Sequence, residues 1–510
     1  MPVLNWIGKD AVVSHDKKVP FKLLKKVDSI SVGENSQNLI IHGDNLEALK
    51  ALMPFYYGKI KCIYIDPPYN TGNESWVYND KVNSPKIKQW LGKVVGRESE
   101  DLTRHDKWLC MMYPRLKLLR DLLSDDGVIF ISIDDNEHCN LKQIMDEIFG
   151  EQNFIGNIIW KKKTNGNNMG FIPPVHDYIL VYAKNIDNCY IHELNLDELY
   201  LARKYSNPDN DCRGPWTTTD LSANHIGPYF SITNPQTGEA YFPPEGRYWV
   251  FSEEEVQKRI KDGRIIFGKN GKGRPVQKKF KSEMNLTQKA ETIWDKVALN
   301  SDATNELSEI LSRKIFETPK PTKLIKQIIK IAADKDSIIL DSFAGSGTTG
   351  HAVLSLNQED GGNRKFILVE LEDKVVKDIT AERVKRAIQK YDYQGGFEYC
   401  ELDKPLFNEK GQIEEECTFN QFASYIFFTE TQTNINAGKI NGNYIGELND
   451  VSYYLIYKEK GKNNLGKAFL KKLQKDGKKI IYADRCLLDE NLLAEYDIVF
   501  KQIPYEVKVY

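Results

Sequence analysis

Two short stretches hold residue types whose order suits chemistry on a small, flat ligand. The first is Asp66-Pro67-Pro68-Tyr69. Two adjacent prolines fix the backbone and remove two N–H donors, so the turn can present carbonyl oxygens beside the Asp66 carboxylate as a row of acceptors. An exocyclic amino group carries two N–H donors and fits that row, and Tyr69 can stack on the ring that bears it. The plain alternative is a proline turn closing a strand, with Asp66 as a turn residue. The second stretch is Asp341-Ser342-Phe343-Ala344-Gly345-Ser346-Gly347-Thr348-Thr349-Gly350. Glycines at i and i+2 permit a tight turn and close approach of the backbone to a ligand, and Thr348 and Thr349 can open the helix behind it. No Lys-Ser or Lys-Thr follows at the spacing of a phosphate-binding P-loop. Gly350 stands at G-x-G-x-x-G spacing from Gly345, so spacing alone does not choose between nucleotide ligands. Glu370, 25 residues after Gly345, stands near the distance at which an acidic side chain commonly binds ribose hydroxyls. Glu372 could serve instead, and a surface charge is the alternative for either.

Both stretches need rigid elements behind them. Lys59–Ile65 reads as an apolar strand ending at Asp66, and Ser337–Leu340 as another ending at Asp341. Leu109, Met112, Tyr113, Leu116, Leu119 and Leu123 follow helical spacing. That helix should stop near Ser124–Gly127, before a strand over Val128–Ile133. A third buried run, Lys365–Val369, ends beside Glu370. Buried strands alternating with helices predict a parallel α/β sheet, in which ligands bind outside the carboxyl ends of the strands. The texture divides the chain into four: α/β over residues 1–156; Gly, Pro, Asn and aromatic interruptions over 157–313; α/β again over 314–398; and a mixed tail over 399–510.

The chain has 510 residues, enough for several cores, and no repeat or low-complexity segment. Its 70 Lys and Arg against 72 Asp and Glu leave a net charge of −2. That excludes a histone-like basic protein and an acidic disordered chain, but not nucleic-acid binding, since local charges can cancel. No apolar run approaches the ~18 residues of a membrane span. The first residues show no secretory pattern, and the eight scattered cysteines form no C-x-x-C, so a cytoplasmic protein without structural zinc is expected. No catalytic triad or metal-ligand cluster competes with the two stretches. One site would grip an adenosine-bearing cofactor and the other an amino group on a flat ring. Methyl transfer from S-adenosylmethionine to a base amino nitrogen fits both.

These residues carry a family resemblance. The chain resembles the β class of DNA amino-methyltransferases, in which the D-P-P-Y motif precedes the F-x-G-x-G cofactor motif with target recognition between them. It is further similar to the modification (Mod) subunits of type III restriction-modification systems, through His42-Gly43-Asp44-Asn45-Leu46-Glu47-Ala48-Leu49, Asp66–Gly72, Phe316-Glu317-Thr318-Pro319-Lys320-Pro321 and Tyr482–Leu488. The resemblance implies a Rossmann-like methyltransferase sheet with its catalytic half before its cofactor half. Residues 157–313 would be an inserted target-recognition domain, and 399–510 an α+β domain for dimerisation or partner docking. It implies methylation of adenine N6 in duplex DNA, a homodimer, and a helicase-nuclease (Res) partner. Asp66, Pro67, Pro68 and Tyr69 would be catalytic. Asp341, Phe343, Gly345, Gly347 and Thr348 would hold the cofactor with Glu370 on its ribose; Asp44 would approach its adenine, and Thr318 and Lys320 its methionine end. Asp44 also reads as the cap of a Leu46–Leu52 helix. Asp66 argues against cytosine N4 as the target, because Ser is commoner there. A non-catalytic recognition subunit is the other alternative, and both motifs being intact weighs against it.

Within 256–281 stand ten basic residues and one acid, a local charge of +9. Arg264, Lys269, Lys272, Arg274, Lys278 and Lys279 there, with Lys161, Lys162 and Lys163, are candidates for contact with DNA phosphates. Trp160 and Tyr178 could wall a base pocket, or simply belong to the core.

Overall fold

The computed structural model describes residues 3–33, 36–71, 89, 92–95, 103–166, 171–268, 271–313, 316, 318–407, 413–414, 417–435, 440–458 and 462–503. Ten strands make the main sheet: β1 (Lys22–Lys26), β2 (Leu39–His42), β3 (Ile60–Ile65), β4 (Leu123–Ile133), β5 (Phe154–Lys161), β6 (His176–Ala183), β7 (Ile293–Trp294), β8 (Ile338–Asp341), β9 (Lys365–Glu370) and β10 (Glu398–Pro405). Their order across the sheet is β1-β10-β2-β9-β8-β3-β4-β6-β5-β7. The six central strands, β10 to β4, run parallel. β3 is buried at every position and reads as an unbroken apolar run apart from Lys61, the pattern of a strand covered on both faces.

The helices relevant to the site are α1 (Asn45–Tyr56), α2 (Arg104–Leu122), α3 (His138–Phe149), α4 (Asn300–Leu311), α5 (Thr322–Ala332), α6 (Thr348–Asp360) and α7 (Glu382–Tyr391). α2 begins at a reciprocal Thr103–Asp106 capping box, which satisfies otherwise orphaned backbone donors. Its apolar stripe packs with β3, β4 and α1 in one core that includes Trp108, Leu109, Met112, Leu116 and Leu119. The stripe Leu324, Ile325, Ile328, Ile329 and Ala332 is buried on α5.

β3 and β8 lie side by side, with Cys62 opposite Ile339 and Ile63 opposite Leu340. From β3 the chain moves on to β4 on one side; from β8 it moves to β9 on the other. The crossovers thus diverge at this pair, and such a switch point leaves a crevice at the carboxyl ends of the two strands.

The chain forms two compact units, one of residues 1–191 with 291–510 and one of His192–Ala290. The second unit is shorter than the 157–313 stretch marked out by sequence texture. The reason is that β5 and β6 pair antiparallel with each other and β6 with β4, and β7 pairs with β5, so these residues extend the main sheet. The unit from 192 to 290 contains a three-stranded antiparallel sheet of Trp216–Asp220, Pro275–Phe280 and Ile265–Phe267. A Ser252-capped helix over Glu253–Lys261 accompanies it, and Leu221, Ile232, Trp249, Val256, Ile265 and Phe267 form its core. Its two ends pair as a short antiparallel ribbon, Leu194–Asn195 against Thr287–Gln288. In the tail, the strands Tyr444–Leu448, Val451–Leu455, Lys478–Ala483 and Ile498–Gln502 form a separate sheet. No helix among the described residues is long and apolar enough to cross a membrane.

Candidate active site

β3 delivers Asp66 to the crevice and β8 delivers Asp341. The Asp66–Tyr69 turn is fastened from three directions. Trp108 Nε1 donates to the Pro68 carbonyl at 2.7 Å. The Tyr69 hydroxyl donates to Asp177 Oδ2 at 3.2 Å, and Lys162 pairs with the other Asp177 oxygen. Asn70, at φ +56°, leaves the turn in the left-handed region that Asn tolerates. Its side chain donates to the Arg104 carbonyl at 3.1 Å and to the buried Glu137 carboxylate, which also meets His105 and Asn140, each at 2.7 Å. Burial, with Asp177 and Asp66 nearby, holds the Tyr69 hydroxyl well above the usual phenol range, so it stays a donor. Asp66 has two different oxygens: Oδ2 pairs with Lys320, while Oδ1 is buried with no hydrogen-bond partner.

The glycine loop after β8 is held as tightly. Gly345 and Gly347 adopt φ +48° and +75°. A Cβ on Gly347 would stand 2.9 Å from the Thr380 carbonyl oxygen, so this position needs glycine for conformation and for space. Thr380 belongs to a π-helical turn, Val376–Ala381, and its hydroxyl donates to the Gly345 carbonyl at 2.6 Å. The Gly345 N–H donates to Glu370 at 2.9 Å and the Glu372 N–H to its other oxygen at 3.0 Å. Asp341 accepts from the Phe343 N–H at 3.1 Å and from the Thr349 hydroxyl at 2.6 Å. Burial nevertheless pushes its carboxyl up to about 7, and the nearby acids Asp66 and Glu370 add to this. Arg383, fully buried, donates to Ser346 Oγ at 3.0 Å and Thr348 Oγ1 at 2.7 Å, and pairs with Glu306.

Two adjoining cavities result. The first is lined by Asp66, Phe316, Thr318, Lys320, Asp341, Phe343, Gly345, Thr348 and Glu370. The second, about 250 Å³, is lined by Asp66, Tyr69, Asp134, Lys162, Lys163, Asp177, Asn300, Thr318 and Lys320. Asp66, Thr318 and Lys320 line both. The two sequence motifs, far apart in the chain, therefore face one continuous crevice.

Some expected residues sit elsewhere. Asp44 is not among the residues lining either cavity; it caps α1, accepting from the Leu46 N–H at 2.8 Å, and pairs with Arg115 at 3.0 Å. Arg115 also bonds Asn45, whose side chain donates to the Ser342 carbonyl at 2.9 Å, so this corner braces the loop after β8. Trp160 is fully buried and donates to the Ala298 carbonyl, and Tyr178 donates to Asp135 and packs near His138; neither is among the residues lining these two cavities. Lys162 and Lys163 do, while Lys161 ends β5 half-buried. In the unit from 192 to 290, Lys278 is buried and paired with Asp209 and Asp211, which removes its charge from any phosphate. Arg264 pairs with Asp262 and Glu283. Lys272 and Arg274 are exposed and Lys279 is half-buried. Lys269 and the motif residues Gly72 and Glu317 lie outside the described residues.

Sequence reasoning missed Trp108, Asp177, Asn70, Arg115 and Arg383. A lone acid in the otherwise apolar run around Tyr178–Ala183 was the one readable sign of Asp177.

The N6_N4_Mtase family model, described as DNA methylase, matches residues 60–382. The chain is 38% identical over 398 residues to the type III restriction-modification enzyme StyLTI Mod subunit of Salmonella typhimurium, covering 74% of this chain and 60% of that one. It is 34% identical over 494 residues to the EcoPI Mod subunit of Escherichia phage P1, covering 88% and 71%. It is 33% identical over 387 residues to the type II methyltransferase M.KpnI of Klebsiella pneumoniae, covering 69% and 85%. The chain thus spans less than two thirds of the StyLTI subunit.

Proposed function

The chain belongs to the N6_N4_Mtase family of DNA methylases, and from that premise we propose that it transfers a methyl group from S-adenosylmethionine to N6 of an adenine flipped out of duplex DNA. The observation that carries this reading is the meeting of both motifs at the β3/β8 switch point, with Asp66 on the wall of both cavities. The cavity behind the glycine loop suits an adenosine-bearing cofactor. Glu370 presents a carboxylate for ribose hydroxyls, the loop allows close backbone approach, and Lys320 offers a cation to a carboxylate end. When bound, S-adenosylmethionine supplies the electrophilic methyl group.

The protein's own residues do the rest. An adenine amino group is out of reach inside a duplex, so the base must leave the stack. Tyr69 offers a stacking face, worth ~1–3 kcal/mol. Asp66 and the Pro67 carbonyl accept from the amino group. The adenine N6 lone pair is delocalised into the ring, and two acceptors favour the pyramidal, more nucleophilic form. This is positioning and electrostatics rather than covalent catalysis. The proton that N6 sheds after transfer passes to Asp66. Lys272, Arg274 and Lys279, with Lys163, serve as phosphate contacts. We read the protein as the modification component of a restriction-modification system, working in the cytoplasm as a homodimer with a helicase-nuclease partner. Sedimentation alone and with that partner tests the assembly.

Purified protein should transfer labelled methyl to DNA, and the Asp66→Ala variant should lose transfer while still binding cofactor. Nucleoside mass analysis should then find N6-methyladenine; N4-methylcytosine would replace the adenine reading, and full activity in the Asp66→Ala variant would remove Asp66 from catalysis. Methylation-sensitive sequencing of DNA from expressing cells gives the target motif.

A further inference from the structure

One cation occupies both contacts that a flipped base would need. The Lys320 ammonium pairs with Asp66 Oδ2 and lies over the Tyr69 ring, 5.1 Å from its centroid. Because the same ammonium touches both groups, the ring face it covers is the face turned toward Asp66. A base cannot bond its amino group to Oδ2 and stack on that face while Lys320 remains. The side chain is only 10% exposed, so water does not readily replace it in this contact.

The backbone beneath Lys320 is anchored. Pro319 before it has a fixed φ of its own, Pro321 after it restricts the Lys320 backbone, and its carbonyl accepts from the Thr348 hydroxyl at 3.1 Å. The movable part is the four-carbon stem. An ammonium this buried must keep a counter-ion wherever it goes. Lys320 also lines the first cavity, where the amino-acid end of the cofactor would bring a carboxylate. Asp66, for its part, exchanges the ammonium for N–H donors and already holds Oδ1 without a partner.

We propose that Lys320 is a latch on the base site, released when the carboxylate of the bound cofactor draws its ammonium away from Asp66 and Tyr69. The inference rests on the methyltransferase reading above and adds an order to it: cofactor first, base second. Lys320 is then a positioning residue whose place couples the two cavities. Linkage makes the coupling reciprocal, so a target duplex must tighten cofactor binding by the same factor by which cofactor favours flipping.

The test places 2-aminopurine at the target adenine of the motif that sequencing identifies and follows its fluorescence as it leaves the stack. Wild-type protein should flip the base weakly alone, strongly with saturating S-adenosylhomocysteine, and weakly with saturating 5′-methylthioadenosine, which lacks the amino-acid end. If the released state is a minor one of ~0.1–10%, the carboxylate should raise flipping on the order of tenfold or more. Lys320→Met should flip strongly with no ligand at all, a gain that mere structural damage would not produce. Equal wild-type flipping with the two ligands, or flipping without either as strong as with S-adenosylhomocysteine, overturns the latch, and that arm needs no variant. Labelled transfer to adenine by the wild-type protein is scored separately, so loss of the latch and loss of the methyltransferase reading are distinct results.

Discussion

Asp341 should make the protein less stable as pH rises through the neutral range, and replacing it with Asn should remove that loss. Its carboxyl is buried at the end of β8, and its pKa stands at about 7 against an ordinary value of 3.8. Between those values the unfolded chain has released the proton and the folded chain still holds it. The folded state binds more protons there, so stability falls with rising pH. Each pH unit carries about 1.4 kcal/mol, and the full span amounts to roughly 4 kcal/mol, a ceiling reached above about pH 7. The Thr349 and Phe343 donors already act against the shift and are contained in the value. Asn has no proton to lose in this range, so any packing offset it introduces is independent of pH. Urea denaturation of wild-type and Asp341→Asn protein from pH 5 to 8.5 should therefore show a stability difference that moves in favour of Asn by about 1.4 kcal/mol per pH unit up to pH 7 and then levels off. A difference that stays constant across this range would refute the assignment of a buried, neutral Asp341.

Other changes separate roles that share one region. Tyr69→Ala should lower kcat/KM for methyl transfer by about 5- to 150-fold if stacking contributes ~1–3 kcal/mol, whereas Tyr69→Phe, which loses only the hydroxyl bond to Asp177, should cost about 1 kcal/mol; equal losses would assign the hydroxyl the larger part. Gly347→Ala should weaken cofactor binding measured by calorimetry, because the left-handed backbone alone costs roughly 1–2 kcal/mol for a residue with a Cβ and the new atom meets the Thr380 carbonyl. Lys272→Ala with Arg274→Ala should reduce the slope of log K against log salt for DNA binding by roughly 1.8. Lys278→Ala should instead lower the melting temperature of the 192–290 unit by only a modest amount, about 1 kcal/mol of stability, since it removes one of the two cations on the buried Asp211 carboxylate and leaves Arg213 paired with it.

The parts of the fold legible in the sequence were those written in local periodicity. β3 apart from Lys61, the Val128–Ile133 part of β4, β8 and β9 are largely apolar runs, and α2 and α5 carry clear stripes, so the parallel sheet and the position of both motifs at strand ends could be anticipated. β5 and β6 escaped because Asn157, Trp160, His176 and Asp177 interrupt their patterns, and their pairing is antiparallel on the far side of β4. In the site, Asp66, Tyr69, Asp341 and the glycines announce themselves through turn chemistry. Arg115, Glu137 and Arg383 do not. Their partners lie at Asp44, Asn70 and Ser346, and nothing local distinguishes a buried arginine from a solvated one until the fold brings its partner. Lys278 failed in the opposite direction: charge density marked it as exposed, and the acids that bury it come from a loop about seventy residues earlier.

The ribbon of Leu194–Asn195 against Thr287–Gln288 brings the entry and exit of the 192–290 unit side by side. A segment whose ends leave the parent chain together can be exchanged for another of different length without moving β3 or β8, and domain insertions are tolerated on the same ground. The architecture thus behaves as a socket: one cassette can be exchanged for another while the crevice at the carboxyl ends of β3 and β8 is inherited unchanged.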